Sequence, residues 1–470
     1  MIKGISIPYP ERPKLAINHM SDLFTLDGGL PPPDLRDENG NMKPLPPMPP
    51  MPPVRAAVIV ENNNRKDSDS SALHGGIVGP DKAKNLRIAA YEGVGGVHVA
   101  GGCYAIENSF ISVNAGDGDA QSATGVSVTD RGELTIKDSV VYVSGQSAGA
   151  TTADHYSNLY VKNCTLISQG SPYGPDASEV RAVRRSPPAP LELGGNCRTH
   201  ITLDHSNSYF NDSTIITDGW AALSTDTSHG YVYLEANRCK VVATKGGYGV
   251  YSDKFCHVVL NACKFDVDRH GLIIDGEADA AFKDCRLDCG AYFAMVHCSG
   301  GPASQVGTIT ARNSDIHCKQ ELFTIRSENA LIDFDDCRVS TDTGVLIHSR
   351  VNPDPMSPAT NGRSVFGIRA SFRNMTLVGD MIHEDPDRDM TVTLENTVLT
   401  GALQSVFLCM EPESRWFATR KSCVTLRDCE VDPAQIDAEK GTVIDCIADE
   451  EAVYTLASGG TLVVHKLFES

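Results

Sequence analysis

The chain has 470 residues, of which 41% are hydrophobic and 21% charged, enough to bury a large core and unlike a disordered composition. Lys and Arg number 41 against 60 Asp and Glu, a net charge of −19 that repels nucleic acid and anionic membranes and disfavours a polyanionic substrate unless a metal bridges the charges. Aromatic residues make up only 6% while Gly reaches 41 and Pro 26, which favours short strands and turns over long helices.

Residues 1–53 read as an arm. The run PLPPMPPMPP at 44–53 is neither helix nor central strand and predicts polyproline II, and its methionines suit packing on a neighbouring subunit better than a solvated linker. The N-terminus has no continuous apolar stretch of leader type, and no run of 18 apolar residues occurs anywhere, so neither a secretory signal nor a membrane span is expected. The 15 cysteines are odd in number and lack zinc spacing, which predicts reduced thiols in a cytoplasmic protein with no metal and no cofactor.

From residue 54 to about 466 the chain repeats itself. Each unit carries a small or glycine turn, a short apolar strand, a polar turn, an alternating strand, and then Asn or Asp followed by Cys or Ser. Stretches such as TGVSVTDRGELTIKDSVVYVSG and GYGVYSDKFCHVVLNACKFDVDR show it. The small residue marks the register at Ser109, Ser139, Cys164, Ser213, Cys239, Cys263, Cys285, Ser314, Cys337, Met375, Thr397 and Cys429. Most intervals fall between 22 and 30 residues. Longer gaps of 49, 38 and 32 accommodate an extra coil and insertions at 168–196, 349–364 and 410–422. Short strands at this period indicate a solenoid whose equivalent strands pair in parallel. The leucine-rich frame is missing and the unit is too short for a propeller blade. The remaining architecture is an all-β parallel β-helix of about 12–13 coils, with the marks stacked inward as a ladder of small side chains.

In that repeat the chain resembles the right-handed parallel β-helix of the pectate-lyase-like superfamily, over roughly residues 54–466. The resemblance implies carbohydrate chemistry. It carries over no residue set, because the Asn-Thr-Asp, Asp-Asp, Gly-His-Gly and Arg-Ile-Lys boxes of polygalacturonase-type hydrolases are missing, and the calcium carboxylates and arginine of pectate lyases have no counterpart that can be placed.

Aligning coils on the mark exposes a second column. Asp130 lies 9 residues before Ser139, and Asp154, Asp253 and Asp275 lie 10 before Cys164, Cys263 and Cys285. Asp226 lies 13 before Cys239, and Asn196 is the expected member of the coil between Asp154 and Asp226. A repeated turn alone would produce such a column, since Asp and Asn bond backbone N–H groups locally. Its company suggests more: Trp220, one of only two tryptophans, with Tyr156, Tyr248 and Tyr251, flanked by His155, His229, Lys254 and His257. Rings beside carboxylates suit a pyranose, whose face stacks while its hydroxyls bond to the acids. The insertion at 168–196 adds Arg181, Arg184 and Arg185, cations for a substrate anion or a neighbouring subunit.

The expected function is a carbohydrate-active enzyme, a glycoside hydrolase or transferase acting on an oligosaccharide. Asp226 is the expected acid, Asp253 the nucleophile or base, and Asp154 a supporting carboxylate. Trp220, Tyr156, Tyr248, Tyr251, His155, Lys254 and Arg184 are expected to bind substrate. Asp226 and Asp253 on adjacent coils would stand roughly 5 Å apart and suit a retaining pair, with Asp154 about 10 Å from Asp226. The alternatives are a lyase or epimerase abstracting a proton next to a carboxylate, and a non-catalytic solenoid for binding or assembly. A homo-oligomer, a trimer by analogy with some β-helix enzymes, is expected, with no nucleic-acid or membrane partner.

Overall fold

The computed structural model describes residues 1–11, 54–66, 68–91, 93–116, 124–145, 148–170, 191–226, 231–297, 305–352 and 366–467. The proline-rich run, Arg181, Arg184, Arg185, His229 and most of the insertion at 349–364 lie outside these. The chain divides into two compact units, Ile17–Leu272 and Met1–Ala16 with Ile273–Ser470.

The first unit is a parallel β-helix with three strands per coil. Glu133–Lys137, Val140–Ser144 and Gly149–Ala153 pair in parallel with Asn158–Lys162, Thr165–Gln169 and Arg198–Thr202. These pair in turn with Asn207–Asn211, Thr214–Thr217 and Ala221–Thr225, and these with Val232–Asn237, Lys240–Ala243 and Tyr248–Ser252. Side chains alternate along each strand, so Leu134, Ile136, Leu159, Val161, Leu166 and Ile215 are fully enclosed. Hydrophobic enclosure of this kind contributes about 1.5–3 kcal/mol per large side chain.

The register marks form a two-residue corner between the first and second strand of each coil. The residue before the mark takes the left-handed conformation, with φ between 47° and 55° at Asn108, Asp138, Asn163, Asp212, Arg238, Ala262, Asp284, Asn313, Asp336 and Asn374. Asn and Asp tolerate this region best among residues with a side chain, which is why they recur. Their side chains also chain together along the solenoid: Asn163 Nδ2 donates to Asp138 Oδ1 at 2.7 Å and Asn313 Nδ2 to Asp284 Oδ1 at 2.6 Å. The mark itself turns inward and does two jobs. Ser213 Oγ donates to the carbonyl of Asn211 at 2.8 Å and accepts the N–H of Cys164, on the coil before, at 3.1 Å, so the 49-residue gap between these two marks holds one coil with an inserted loop and not the extra coil its length suggested. Ser109, Ser139 and Ser314 repeat the pattern. A thiol fits the same space, so Cys239 and Cys263 take successive marks, each bonding the carbonyl two residues back. No cysteine among the described residues is in a disulfide.

The second unit continues the same design. Asp279–Lys283, Val306–Arg312, Asn329–Asp335, Ile368–Arg373 and Met390–Glu395 are successive parallel rungs. Its core is aromatic: Phe282, Phe293, Phe323, Phe334 and Phe372 meet edge to face at centroid distances of 5.2 to 6.1 Å. Residues 410–422, read from the sequence as an insertion, hold the strand Arg415–Ala418, which pairs in register with Val398–Thr400. Ser414 takes the mark position there and accepts the N–H of Thr397 at 3.2 Å, a rung the spacing concealed.

The first residues of the chain are bound to this unit. Ile2–Lys3 pairs antiparallel with Glu430–Val431, and the buried Arg427 guanidinium donates to the carbonyls of Ile7 and Pro8 while lying 3.8 Å from the Tyr9 ring centroid. No helix among the described residues is long and apolar enough to cross a membrane.

Candidate functional site

Part of the expected acidic column lies at the ends of third strands in the first unit; Asp130 is one residue out, since the register sets Asp154 opposite Thr129. The register pairs Ser224 with Tyr251 and Thr202 with Thr225, so Asp226 and Asp253 follow on adjacent rungs. The coil between Asp154 and Asp226 contributes Leu203, not Asn196: Leu203 N–H bonds the Ala153 carbonyl at 2.8 Å, and Asp226 N–H bonds the Thr202 carbonyl at 3.0 Å. The loop before Arg198 misaligned the count, and Asn196 is instead a buried residue of that loop.

One pocket, of about 120 Å³, opens on this strand series. Leu191, Arg198, Trp220, Ser224, Thr225, Asp226, Tyr248 and Tyr251 line it. Four of these were expected as site residues from the sequence: Asp226, Trp220, Tyr248 and Tyr251. Trp220 is held by a tight backbone crossing. A Cβ on Gly195, whose φ is +85°, would lie 2.3 Å from Gly219 Cα, so only glycine permits the approach that brings Trp220 N–H to the Gly194 carbonyl at 2.6 Å. Trp220 itself has φ +50°. For a bulky residue this costs about 1–2 kcal/mol, and strain of this kind collects at ligand sites.

Arg198 was not singled out by sequence. Its guanidinium carbon lies 4.1 Å from the Trp220 ring centroid, and its Nε is buried with no hydrogen-bond partner among the described residues. The only sequence signal was its place at the start of a strand directly after the long insertion. Tyr248, fully enclosed, shares a hydrogen bond of 2.6 Å with Ser224 Oγ, and burial pushes its phenol up to about 12, against the pull of Arg198. It is a neutral phenol at any working pH. Tyr251 meets Tyr248 with ring centroids 5.9 Å apart.

The other expected residues do not line this pocket. Asp253 and Lys254 form an ion pair at 3.5 Å with side chains 11% and 10% exposed. Asp154, His155 and Tyr156 belong to a separate cluster with Asp204 and His205. His155 Nδ1 lies 3.0 Å from Asp154 and Nε2 3.9 Å from Asp204, and Tyr156 stacks on His205 at 4.5 Å. Burial raises the Asp154 carboxyl above its ordinary range, against the opposing charge of His155. Asp154, His155 and Asp204 offer three ligand atoms within 4.8 Å of one another, a set with the chemistry to hold a divalent cation. A further polar set fills the core beneath the site strands. His200 is bonded on both ring nitrogens, to Thr151 Oγ1 at 2.9 Å and Thr202 Oγ1 at 2.7 Å, and burial drives it down to about 3, so it stays neutral.

No family model matches the chain, and no curated protein matches it in sequence.

Proposed function

We propose that the Trp220 pocket is the reactive site of a carbohydrate-active enzyme of pectate-lyase-like type. The observation that carries this reading is the convergence of one carboxylate, a guanidinium whose Nε has no hydrogen-bond partner among the described residues, and three aromatic rings on a single pocket: Asp226, Arg198, Trp220, Tyr248 and Tyr251. Proton abstraction next to a carboxylate, as in a lyase or epimerase, fits this set best. Arg198 binds the substrate carboxylate and stabilises the charge that develops on it. Asp226 takes the proton from the adjacent carbon, and a neutral tyrosine hydroxyl supplies a proton to the departing oxygen or to the opposite face. Asp253, paired with Lys254, contributes a fixed charge on the next rung.

Hydrolysis by an Asp226–Asp253 pair is the second reading. Their adjacent rungs favour it, at the roughly 5 Å spacing of a retaining pair.

The test is a screen of uronate-containing and neutral oligosaccharides in deuterated water, with and without EDTA. Proton abstraction predicts an unsaturated product or deuterium in the recovered sugar, lost in Trp220→Ala. New reducing ends without either signal would establish the hydrolytic reading instead. No turnover of any sugar, with no ring-current shift of Trp220 on mixing, would leave a non-catalytic solenoid.

A further inference from the structure

Six register marks are cysteines, and five of them, Cys164, Cys239, Cys263, Cys285 and Cys337, are buried. The sixth, Cys429 in the second unit, is only partly buried, and so is Cys409 on the strand Leu403–Met410. That strand pairs in parallel with Ser422–Leu426, with Leu408 opposite Leu426. The Arg427 N–H then bonds the Leu408 carbonyl at 3.0 Å. After the left-handed Asp428, the Cys429 Sγ turns back and donates to the same carbonyl at 3.6 Å. Leu408 directly precedes Cys409, so this corner delivers one thiol beside the other, and the two hydrogen-bond to each other.

That contact, together with access to solvent, sets the pair apart. Burial pushes the Cys164 thiol up to about 11, which keeps it inert. At Cys429 the hydrogen bond from Cys409 outweighs burial and, with backbone contacts at Met410 and Arg427, brings the thiol down to about 7 against the charge of Asp428. The same bond raises Cys409. A thiolate beside a protonated thiol is the arrangement of an attacking and a resolving cysteine. Cys239 is drawn down by Cys263 in a similar way, and Cys289 stands in register with Cys318, but all four of these are buried away from any oxidant in solution.

We propose that Cys409 and Cys429 are a peroxide-reactive dithiol site, with Cys429 as the attacking and Cys409 as the resolving cysteine. The Cys429 thiolate attacks one oxygen of a hydroperoxide and the O–O bond breaks. The second oxygen takes a proton from solvent and leaves as water or an alcohol, and Cys429 becomes a sulfenic acid. The Cys409 sulfur then attacks the Cys429 sulfur, the S–OH bond breaks, and the hydroxide leaves as water with the Cys409 proton. The two sulfurs lose two electrons in all, and the peroxide gains them. Because the thiols already touch, closing to the bond length of about 2.05 Å asks only for side-chain movement within one corner. A dithiol reductant reverses the reaction by exchange. The site does not depend on the reading of the Trp220 pocket, which lies in the other unit.

The test treats the native full chain with hydrogen peroxide and maps its thiols by alkylation and peptide mass. A disulfide joining Cys409 to Cys429 is expected, reversed by dithiothreitol, while Cys239, Cys263, Cys289 and Cys318 stay reduced. It should form at least about tenfold faster than the exposed Cys423 oxidises. In Cys409→Ser the reaction should stop at a sulfenic acid on Cys429, which dimedone traps. In Cys429→Ser the oxidation of Cys409 should slow by at least about tenfold. Serine already serves as the mark at Ser213, so Cys429→Ser should fold as wild type. The wild-type map decides the question even if a variant does not fold. Cys409 and Cys429 both reduced after Cys423 has oxidised would overturn the proposal, as would a Cys429 sulfenic acid that persists beside a reduced Cys409. Oxidation of Cys409 at the wild-type rate in folded Cys429→Ser overturns it too.

Discussion

Two columns of polar residues run through the first unit, and they differ in how uniform they are. At the mark corner the coils of Ser109, Ser139 and Ser213 solve one problem in one way: a left-handed residue, then a small inward side chain that donates to the carbonyl two residues back and accepts an N–H from the coil before. Nothing there is left over. At the end of the third strand the coils diverge. Asp154 joins a histidine cluster, Leu203 replaces an acid, Asp226 lines a pocket, and Asp253 pairs with a lysine. Repetition of identical local bonds marks what the solenoid needs in order to stack. Departure from repetition coincides with a strained tryptophan and with an arginine stacked on it whose Nε has no hydrogen-bond partner among the described residues, which is the combination the proposed function builds on.

The comparison breaks most sharply at Asp226. If the divergent column is functional, Asp226→Asn should lower turnover of the substrate found by the screen by about 10²–10⁴-fold, the range for loss of a general base, with an unchanged melting temperature. Asp253→Asn should do the opposite. It leaves the enclosed Lys254 without that carboxylate and should cost about 3 kcal/mol of stability while turnover stays within tenfold. Equal loss of turnover in both variants, with both folded, would transfer the chemistry to the carboxylate pair. Wild-type turnover in Asp226→Asn would return the whole column to the status of the marks.

A second test sharpens the other side. Ser213→Ala removes the acceptor for the buried Cys164 N–H and the donor to Asn211. An orphaned buried donor costs about 1–3 kcal/mol, so denaturant unfolding should show a loss in that range with turnover untouched. Ser213→Cys keeps both roles, as the neighbouring marks Cys164 and Cys239 do, and should lose less than half as much.

These columns also show what sequence exposes in a solenoid. The marks were legible because each is local: a left-handed Asn or Asp beside a small residue is a two-residue event, and its chemistry repeats at the period of the chain. The pairing of Asp226 with Asp253 was legible because few residues separate their strands. The error at Asn196 and the omission of Arg198 share one cause. Asn196 ends the loop at 168–196 and Arg198 follows it; the loop's length erases the count, and Arg198 acquires meaning only from Trp220 on the following coil, through the register pairing Arg198 with Ala221. The rung at Arg415–Ala418 was missed for a related reason, since Ser414 keeps the mark's hydrogen bond without the preceding Asn or Asp. Residues that only become partners through register leave no local signal.

The smallest expected effect concerns a third kind of repetition, in the second unit. His317 bridges acids on the rungs before and after it, with Nδ1 3.1 Å from Asp288 and Nε2 3.1 Å from Asp342. Hydrogen bonds first to Asp288 and then to Asp342 raise the imidazole above its ordinary value, outweighing its slight desolvation. A histidine held protonated in the folded state adds stability that is fully present below its unfolded value near 6.5 and is lost as pH rises through the higher folded value. Because the group is largely exposed, solvent and salt screen the pair and the gain should be under about 1 kcal/mol. Wild-type stability should therefore fall slightly more than that of His317→Gln between pH 6 and pH 8, and 1 M salt should shrink the difference, since screening acts within about 3 Å there. Parallel pH profiles for the two proteins would mean that the bridge is held by hydrogen bonds alone. His317 would then belong with the marks, as a residue that stacks coils at any pH.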